Sequence, residues 1–188
     1  EVLARTLDPN SLPDSLPDSL RKIVLTWGQK SRLPKFSQED GVTVLMEPMR
    51  SPGTVIIAGA GHVGQTTASL CATVGFITIV VDDRADFLEQ SSLPNVHQRR
   101  QVDDFETCFT GLDISPDASI IILTRGHVHD KTVLAQALRT PAEYIGMIGS
   151  RKKRDAIYRS LREHGFAQSE LDRVYCPIGL SIGADTPQ

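Results

Sequence analysis

Residues 54–64 read Thr-Val-Ile-Ile-Ala-Gly-Ala-Gly-His-Val-Gly, a Gly-x-Gly-x-x-Gly set directly behind a continuous apolar run. A second apolar run, Ile77 to Val81, ends in Asp82, eighteen residues past the last glycine. The glycines alone constrain little. Placed after a strand, before a helical segment and at that distance from an acid, they predict a strand–helix–strand unit whose turn faces a pyrophosphate. Each glycine has its own task. Gly59 permits the tight turn, Gly61 lets backbone approach phosphate, and Gly64 lets the helix pack against the strand. The unpaired N–H groups and positive dipole end of that helix then face the anion.

Strand-like runs recur downstream at Ser119–Thr124 and Tyr144–Ile148, with weaker ones near Val96–Val102 and Val174–Ile178. They are rich in Ile and Val and scarcely alternate, as strands covered on both faces do. Between them, Val63, Thr67, Leu70, Cys71 and Val74 recur at helical spacing before Gly75. Val133, Leu134, Ala137 and Leu138 form a similar face, as do Ile157 and Leu161. Such alternation predicts an α/β fold, Rossmann-like and doubly wound, with a mainly parallel sheet over residues 54–188. Residues 1–53 differ: a short tandem of Ser-Leu-Pro-Asp, a helix from Asp18 to about Gln29, a Pro- and Lys-containing loop and a strand over Val42–Met46. The tandem's Asp and Ser residues read as turn formers and caps. The segment reads as an N-terminal appendage or the remnant of an N-terminal domain.

Bulk properties exclude several classes. A net charge of −3 over 188 residues, with no long basic tract, points away from nucleic acid. No apolar run has the length of a membrane span and no secretory signal is present, so a cytoplasmic protein is expected. Cys71, Cys108 and Cys176 are odd in number and far apart, and read as small reduced hydrophobes. The chain starts at Glu1 rather than Met and stops just after a Pro, which suggests a fragment or a longer protein. No nucleophile elbow, Walker lysine motif, paired carboxylates or zinc-finger spacing appears, and catalytic residues are not assigned.

The ends of the strands carry the chemistry, since ligands of open α/β sheets bind outside the carboxyl edge. His62 sits in the glycine turn. Asp82, Asp83 and Arg84 follow the second strand: the acids suit a ribose 2′-hydroxyl, and Arg84 leaves a 2′-phosphate open, so NAD and NADP both stand. Arg125, Gly126, His127, His129 and Asp130 follow the fourth strand. A His-x-His loop is a weak metal signal and no metal is assigned; ligand contact or proton transfer by His127 or His129 is the favoured role. After the fifth strand, Ser150 reads as an N-cap, which puts Arg151 to Arg154 in a helix's first turn. Cations there oppose the helix dipole, a penalty a bound anion reverses.

Ala58-Gly-Ala-Gly-His-Val-Gly64, Val81-Asp-Asp-Arg84, Thr124-Arg-Gly-His-Val-His-Asp130, Tyr144-Ile-Gly-Met-Ile-Gly-Ser-Arg-Lys-Lys-Arg154 and Pro177-Ile-Gly-Leu-Ser-Ile-Gly-Ala-Asp-Thr-Pro187 together resemble the xanthine dehydrogenase accessory protein family (XdhC/CoxI-like). The likeness covers the family's Rossmann-like C-terminal domain. The family's N-terminal domain, with its Gly/Ser-rich, Cys-containing motif, has no clear counterpart in residues 1–53. The resemblance implies an accessory or chaperone role in maturing a molybdenum hydroxylase. It implies binding of the molybdenum cofactor (molybdopterin) and delivery to an apo-enzyme such as xanthine dehydrogenase, in contact with a cysteine desulfurase. On this reading Gly59, Gly61 and Gly64 receive phosphate, Asp82 or Asp83 a ribose hydroxyl, and His127, His129 and Arg151 the rest of the ligand. The alternatives are an NAD(P)-dependent oxidoreductase with His127 or His129 as proton donor, and a nucleotide-sensing regulatory module. A homodimer is the default for a sheet with exposed edges.

Overall fold

The computed structural model describes residues 12, 14, 16–27, 34–39, 42–47, 52–89, 91–180 and 182–183. The chain divides into two units, Glu1–Ser51 and Pro52–Gln188. In the first, α1 (Asp18–Trp27) starts behind Pro17, whose carbonyl accepts a hydrogen bond from the Arg21 N–H at 2.8 Å. The expected helix end at Gln29 and most of the Ser-Leu-Pro-Asp tandem lie outside the described residues. β1 (Lys35–Glu39) and β2 (Val42–Met46) pair antiparallel, Lys35 opposite Met46 and Glu39 opposite Val42. β1 corrects the expectation of a loop. Lys-Phe-Ser-Gln-Glu carries one apolar residue, so its strand character comes from the β2 partner rather than from its own pattern.

The second unit runs β3 (Thr54–Ala58), α2 (His62–Thr73), β4 (Ile77–Asp82), β5 (Gln98–Gln101), β6 (Ser119–Ile122), α3 (His127–Ala137), β7 (Tyr144–Met147), α4 (Arg151–Glu163), α5 (Gln168–Leu171) and β8 (Val174–Tyr175). Its six-stranded sheet has the order β5-β4-β3-β6-β7-β8, and every pairing is parallel. Counted from β3, this is the order of a doubly wound dinucleotide-binding sheet, reversing direction between β3 and β6. All six expected strand positions are occupied. The two weak ones, β5 and β8, are the sheet edges, where fewer buried neighbours demand fewer apolar residues.

Alternate residues of β3 serve opposite faces. Val55 and Ile57 join Ala60, Ala68, Val80, Leu88, Leu93 and Val96 on the face that α2 covers. Ile56 and Ala58 join Ile79, Val81, Ile120, Ile122, Val133, Leu134, Ile157 and Leu161 on the face that α3 and α4 cover. Each fully buried Ile, Val or Leu contributes about 1.5–3 kcal/mol relative to exposure. That anchorage holds the strand ends and their loops in register.

Candidate functional site

The turn after β3 is shaped by backbone contact. Gly59 has φ +111°, and a Cβ there would lie 2.4 Å from the Leu123 carbonyl oxygen at the end of β6. A Cβ on Gly64 would lie 1.9 Å from the Gly59 carbonyl oxygen, so helix and turn touch backbone to backbone. Gly61 is different. It caps α2 with ordinary extended backbone (φ −66°), and a Cβ there would meet nothing within 4 Å. The turn therefore presents an open cradle at the N-terminus of a twelve-residue helix, where orphan N–H groups favour an anion.

The two acids after β4 hold different positions. Asp82 is 1 % exposed. Its Oδ2 accepts from the Ala60 N–H at 2.6 Å and from Arg84 Nη2 at 3.0 Å. Its Oδ1 accepts from the Arg84 backbone N–H and Nε, both at 2.9 Å. The carboxylate thus clamps the glycine turn to the β4 end, and Arg84 lies 3.7 Å above the Phe87 ring. Burial pushes the Asp82 carboxyl up, but the hydrogen bonds from Arg84 and Ala60 outweigh it and hold it at about 2, below its ordinary 3.8. A carboxyl depressed in the folded state adds stability above its unfolded pKa and loses it as pH falls through the folded one. Asp82→Asn is accordingly expected to be less stable than the parent by on the order of 2 kcal/mol at pH 6. That gap should shrink as denaturation is repeated from pH 4 down to pH 2; a gap independent of pH would exclude this role.

Asp83 gives Oδ2 to an ion pair with Arg125. Its Oδ1 is buried, accepts no hydrogen bond among the described residues and lies 3.7 Å from Arg84 Nε. Asp83 follows β4 and Arg125 follows β6, the two strands that flank β3, so their pair reaches past the end of β3 and its glycine turn.

On the β6–β7 side, Gly126 (φ +84°) turns the chain into α3. His127 to Asp130 form the first turn of that helix rather than a loop, because the connection from β6 takes only Leu123 to Gly126. The His127 side chain lies outside what is described. His129 packs on Phe105, ring centroids 5.2 Å apart, and His62 is exposed at the start of α2. Among the described residues, no three His, Cys, Asp or Glu side chains are disposed to share a metal ion. Asp130 is fully buried; Thr124 Oγ1 donates to its Oδ1 at 2.5 Å, and Lys153 ion-pairs with its Oδ2.

Ser150 caps α4, its Oγ accepting from the Lys153 N–H at 3.2 Å. The basic cluster of this first turn splits into two pairs. Lys153 folds back over Gly149, where a Cβ would lie 2.7 Å from Lys153 Cδ, and reaches both Asp130 and the Ile148 carbonyl, the latter at 3.3 Å. Arg154 pairs with Asp155 at 2.7 Å and donates to the Cys176 carbonyl at 3.2 Å. Arg151 and Lys152 are left exposed. The structural use of Lys153 and Asp130 was missed in sequence, where one reads as a surface cation and the other as a histidine's neighbour. Hollows of about 460 and 380 Å³ lie along α4–α5 and between α3 and α4, and neither is lined by the glycine turn. The site at the strand ends is an open notch of backbone and charged side chains.

A family model described as the XdhC Rossmann domain matches residues 55–188. The chain is similar to "Uncharacterized protein YqeB" of Escherichia coli (strain K12), 32 % identical over 134 residues, covering 71 % of this chain and 24 % of that protein. It is also similar to a probable xanthine dehydrogenase subunit of Bacillus subtilis (strain 168), 25 % identical over 177 residues, 94 % of this chain and 49 % of that one. Among solved structures, a crystal structure of a xanthine dehydrogenase from Bacillus halodurans superposes with a TM-score of 0.60 at 29 % identity, over 77 % of this chain and 40 % of that chain. The chain spans 24 % and 49 % of the lengths of the two curated relatives.

Proposed function

The chain belongs to the XdhC Rossmann-domain family, and from that premise we propose that it serves as an accessory protein in the maturation of a molybdenum hydroxylase of the xanthine dehydrogenase type. The names borne by the Bacillus relatives support the connection to that enzyme system. On this reading the domain binds the molybdenum cofactor or its dinucleotide form and hands it to the apo-enzyme, with a cysteine desulfurase as a further partner. The observation that carries the reading is the open cradle at Gly61, flanked by two glycines that the fold itself requires. Phosphate is common to molybdopterin, its dinucleotide and NAD(P), and a turn of free N–H groups suits it in all of them. When bound, the cofactor supplies the redox-active centre that the hydroxylase later uses. On this reading the chain's residues bind and orient it: the Gly59–Gly64 turn through N–H groups, Arg151 through its exposed charge at the start of α4, and His129 as a further contact from the first turn of α3.

Parallel equilibrium titrations with isolated molybdopterin cofactor, NAD⁺ and NADP⁺ test the proposal. Cofactor binding that outcompetes both nucleotides is expected. Gly61→Val, which fills the cradle, and Arg151→Glu, which reverses the charge at α4, should each weaken it about tenfold or more, or about 1.4 kcal/mol. Nucleotide binding without cofactor binding would instead favour a nucleotide sensor or, with turnover in a nicotinamide absorbance assay, an oxidoreductase. Unchanged affinity in both folded variants would remove the site from the notch.

A further inference from the structure

α4 concentrates a charge that the rest of the chain does not share. It holds six cations, the four of Arg151 to Arg154 with Arg159 and Arg162, against Asp155 and Glu163, a net +4. The whole chain carries −3, so what remains carries −7. Away from the notch, on its α5 side, the helix borders the hollow of about 460 Å³, to which Tyr158 and buried Leu171 give apolar surface. The acids beside that hollow are already answered. Asp155 pairs with Arg154 at 2.7 Å, Asp172 accepts from Gln168 Nε2 at 2.8 Å, and Glu170 accepts from the Ala167 N–H at 2.8 Å. Two of its cations are not. Arg159 makes no ion pair or hydrogen bond among the described residues, and Arg162 has a single contact of 3.4 Å to Gln168 Oε1. Both are exposed, and like charges three residues apart on a helix repel each other. An opposite charge from outside the chain removes that repulsion.

Resting on the reading that the chain serves a molybdenum hydroxylase, we infer that this flank of α4 is where the recipient enzyme docks, through an acidic segment whose carboxylates pair with Arg159 and Arg162. The guanidinium fork matches a carboxylate bidentately, and Arg is enriched at protein interfaces where Lys is depleted. Complementarity fixes the sign of the partner, because the lining of the hollow offers two unanswered guanidiniums and no unanswered acid. The position also suits a transfer. Arg162 follows Arg151 by eleven residues, three turns on and nearly in line, so about 16 Å of helix separates the docked segment from the notch. A recipient seated there lies beside the cofactor's site rather than over it.

Two probes titrated into the full chain test this: a hexaglutamate peptide for the acidic segment, and a purified apo-xanthine dehydrogenase for the recipient. Glutarate and phosphatidylglycerol vesicles serve as controls. Both probes are expected to bind, and to bind at least about tenfold more weakly at about 0.3 M than at about 0.05 M salt, since exposed charge pairs are screened. The double variant Arg159→Glu/Arg162→Glu should weaken both by about tenfold or more. Its melting temperature and its affinity for the cofactor should stay at the parent's values, because both side chains are exposed and lie outside the notch. Apo-enzyme binding that the double variant leaves intact would overturn the docking surface while keeping the accessory reading. No binding of the apo-enzyme by the parent would overturn the accessory reading itself. Glutarate binding as tight as hexaglutamate would mark a small-molecule site, and tighter binding to the vesicles a membrane surface; either result overturns the inference.

Discussion

Lys153→Met is expected to destabilise the protein by about 3–5 kcal/mol, because it leaves the fully buried Asp130 carboxylate with Thr124 as its remaining partner. In a domain of this size that corresponds to a fall in melting temperature on the order of 10 °C. Removing one member of a buried pair is costly since desolvation of the other charge is no longer offset. Replacing both by apolar side chains removes that desolvation altogether. The double variant Asp130→Leu/Lys153→Met should therefore recover most of the loss. Urea denaturation of the parent, the single variant and the double variant measures this directly. A single variant as stable as the parent would show that the pair is solvated and dispensable. Equal losses in the single and double variants would show that the cost does not come from leaving the Asp130 charge unpaired.

Three glycines within six residues should respond in opposite ways to the same methyl group. Gly59→Ala combines a φ of +111° with a contact of 2.4 Å to a backbone carbonyl, and Gly64→Ala brings a Cβ to 1.9 Å from another. Neither obstacle is the far end of a flexible side chain, so strand, turn or helix must move. Left-handed strain costs roughly 1–2 kcal/mol and forced overpacking about 1–3 kcal/mol, so each variant should lose several kcal/mol or fail to fold. Gly61→Ala has allowed backbone and empty space around its Cβ. It should stay within about 1 kcal/mol of the parent, since the gain of about 0.4–1 kcal/mol through the unfolded chain is offset by the poorer N-cap that Ala makes. Melting temperatures of the three variants, with pyrophosphate titration of Gly61→Ala, separate the two structural glycines from the one kept free for a ligand. A Gly61→Ala variant as unstable as the others would mean that the turn is closed rather than open.

Most of the sheet was legible because buried parallel strands need continuous apolar runs, and β3, β4 and β6 have them in Ile and Val. β1 was not, because its one exposed Phe among polar residues says nothing until β2 lies beside it. The candidate site was legible as a list of strand ends, since parallel topology brings every carboxyl end to one edge. The division of labour within that list was not legible.

The sequence by itself determined the Rossmann-like fold, the family, the glycine turn and Ser150 as the cap of α4. The fold, the turn and the cap follow from local spacing and periodicity, and the family from the resemblance its motifs carry. Only the tertiary structure decided which of two neighbouring aspartates clamps the turn, and which cations of Arg151–Arg154 are free to meet a ligand. Asp83 with Arg125 joins two strand ends, and Asp130 with Lys153 the first turns of two helices, each pair far apart in the chain. A charged side chain's role depends on which opposite charge lies within a few ångströms, and that distance exists only once the sheet has formed.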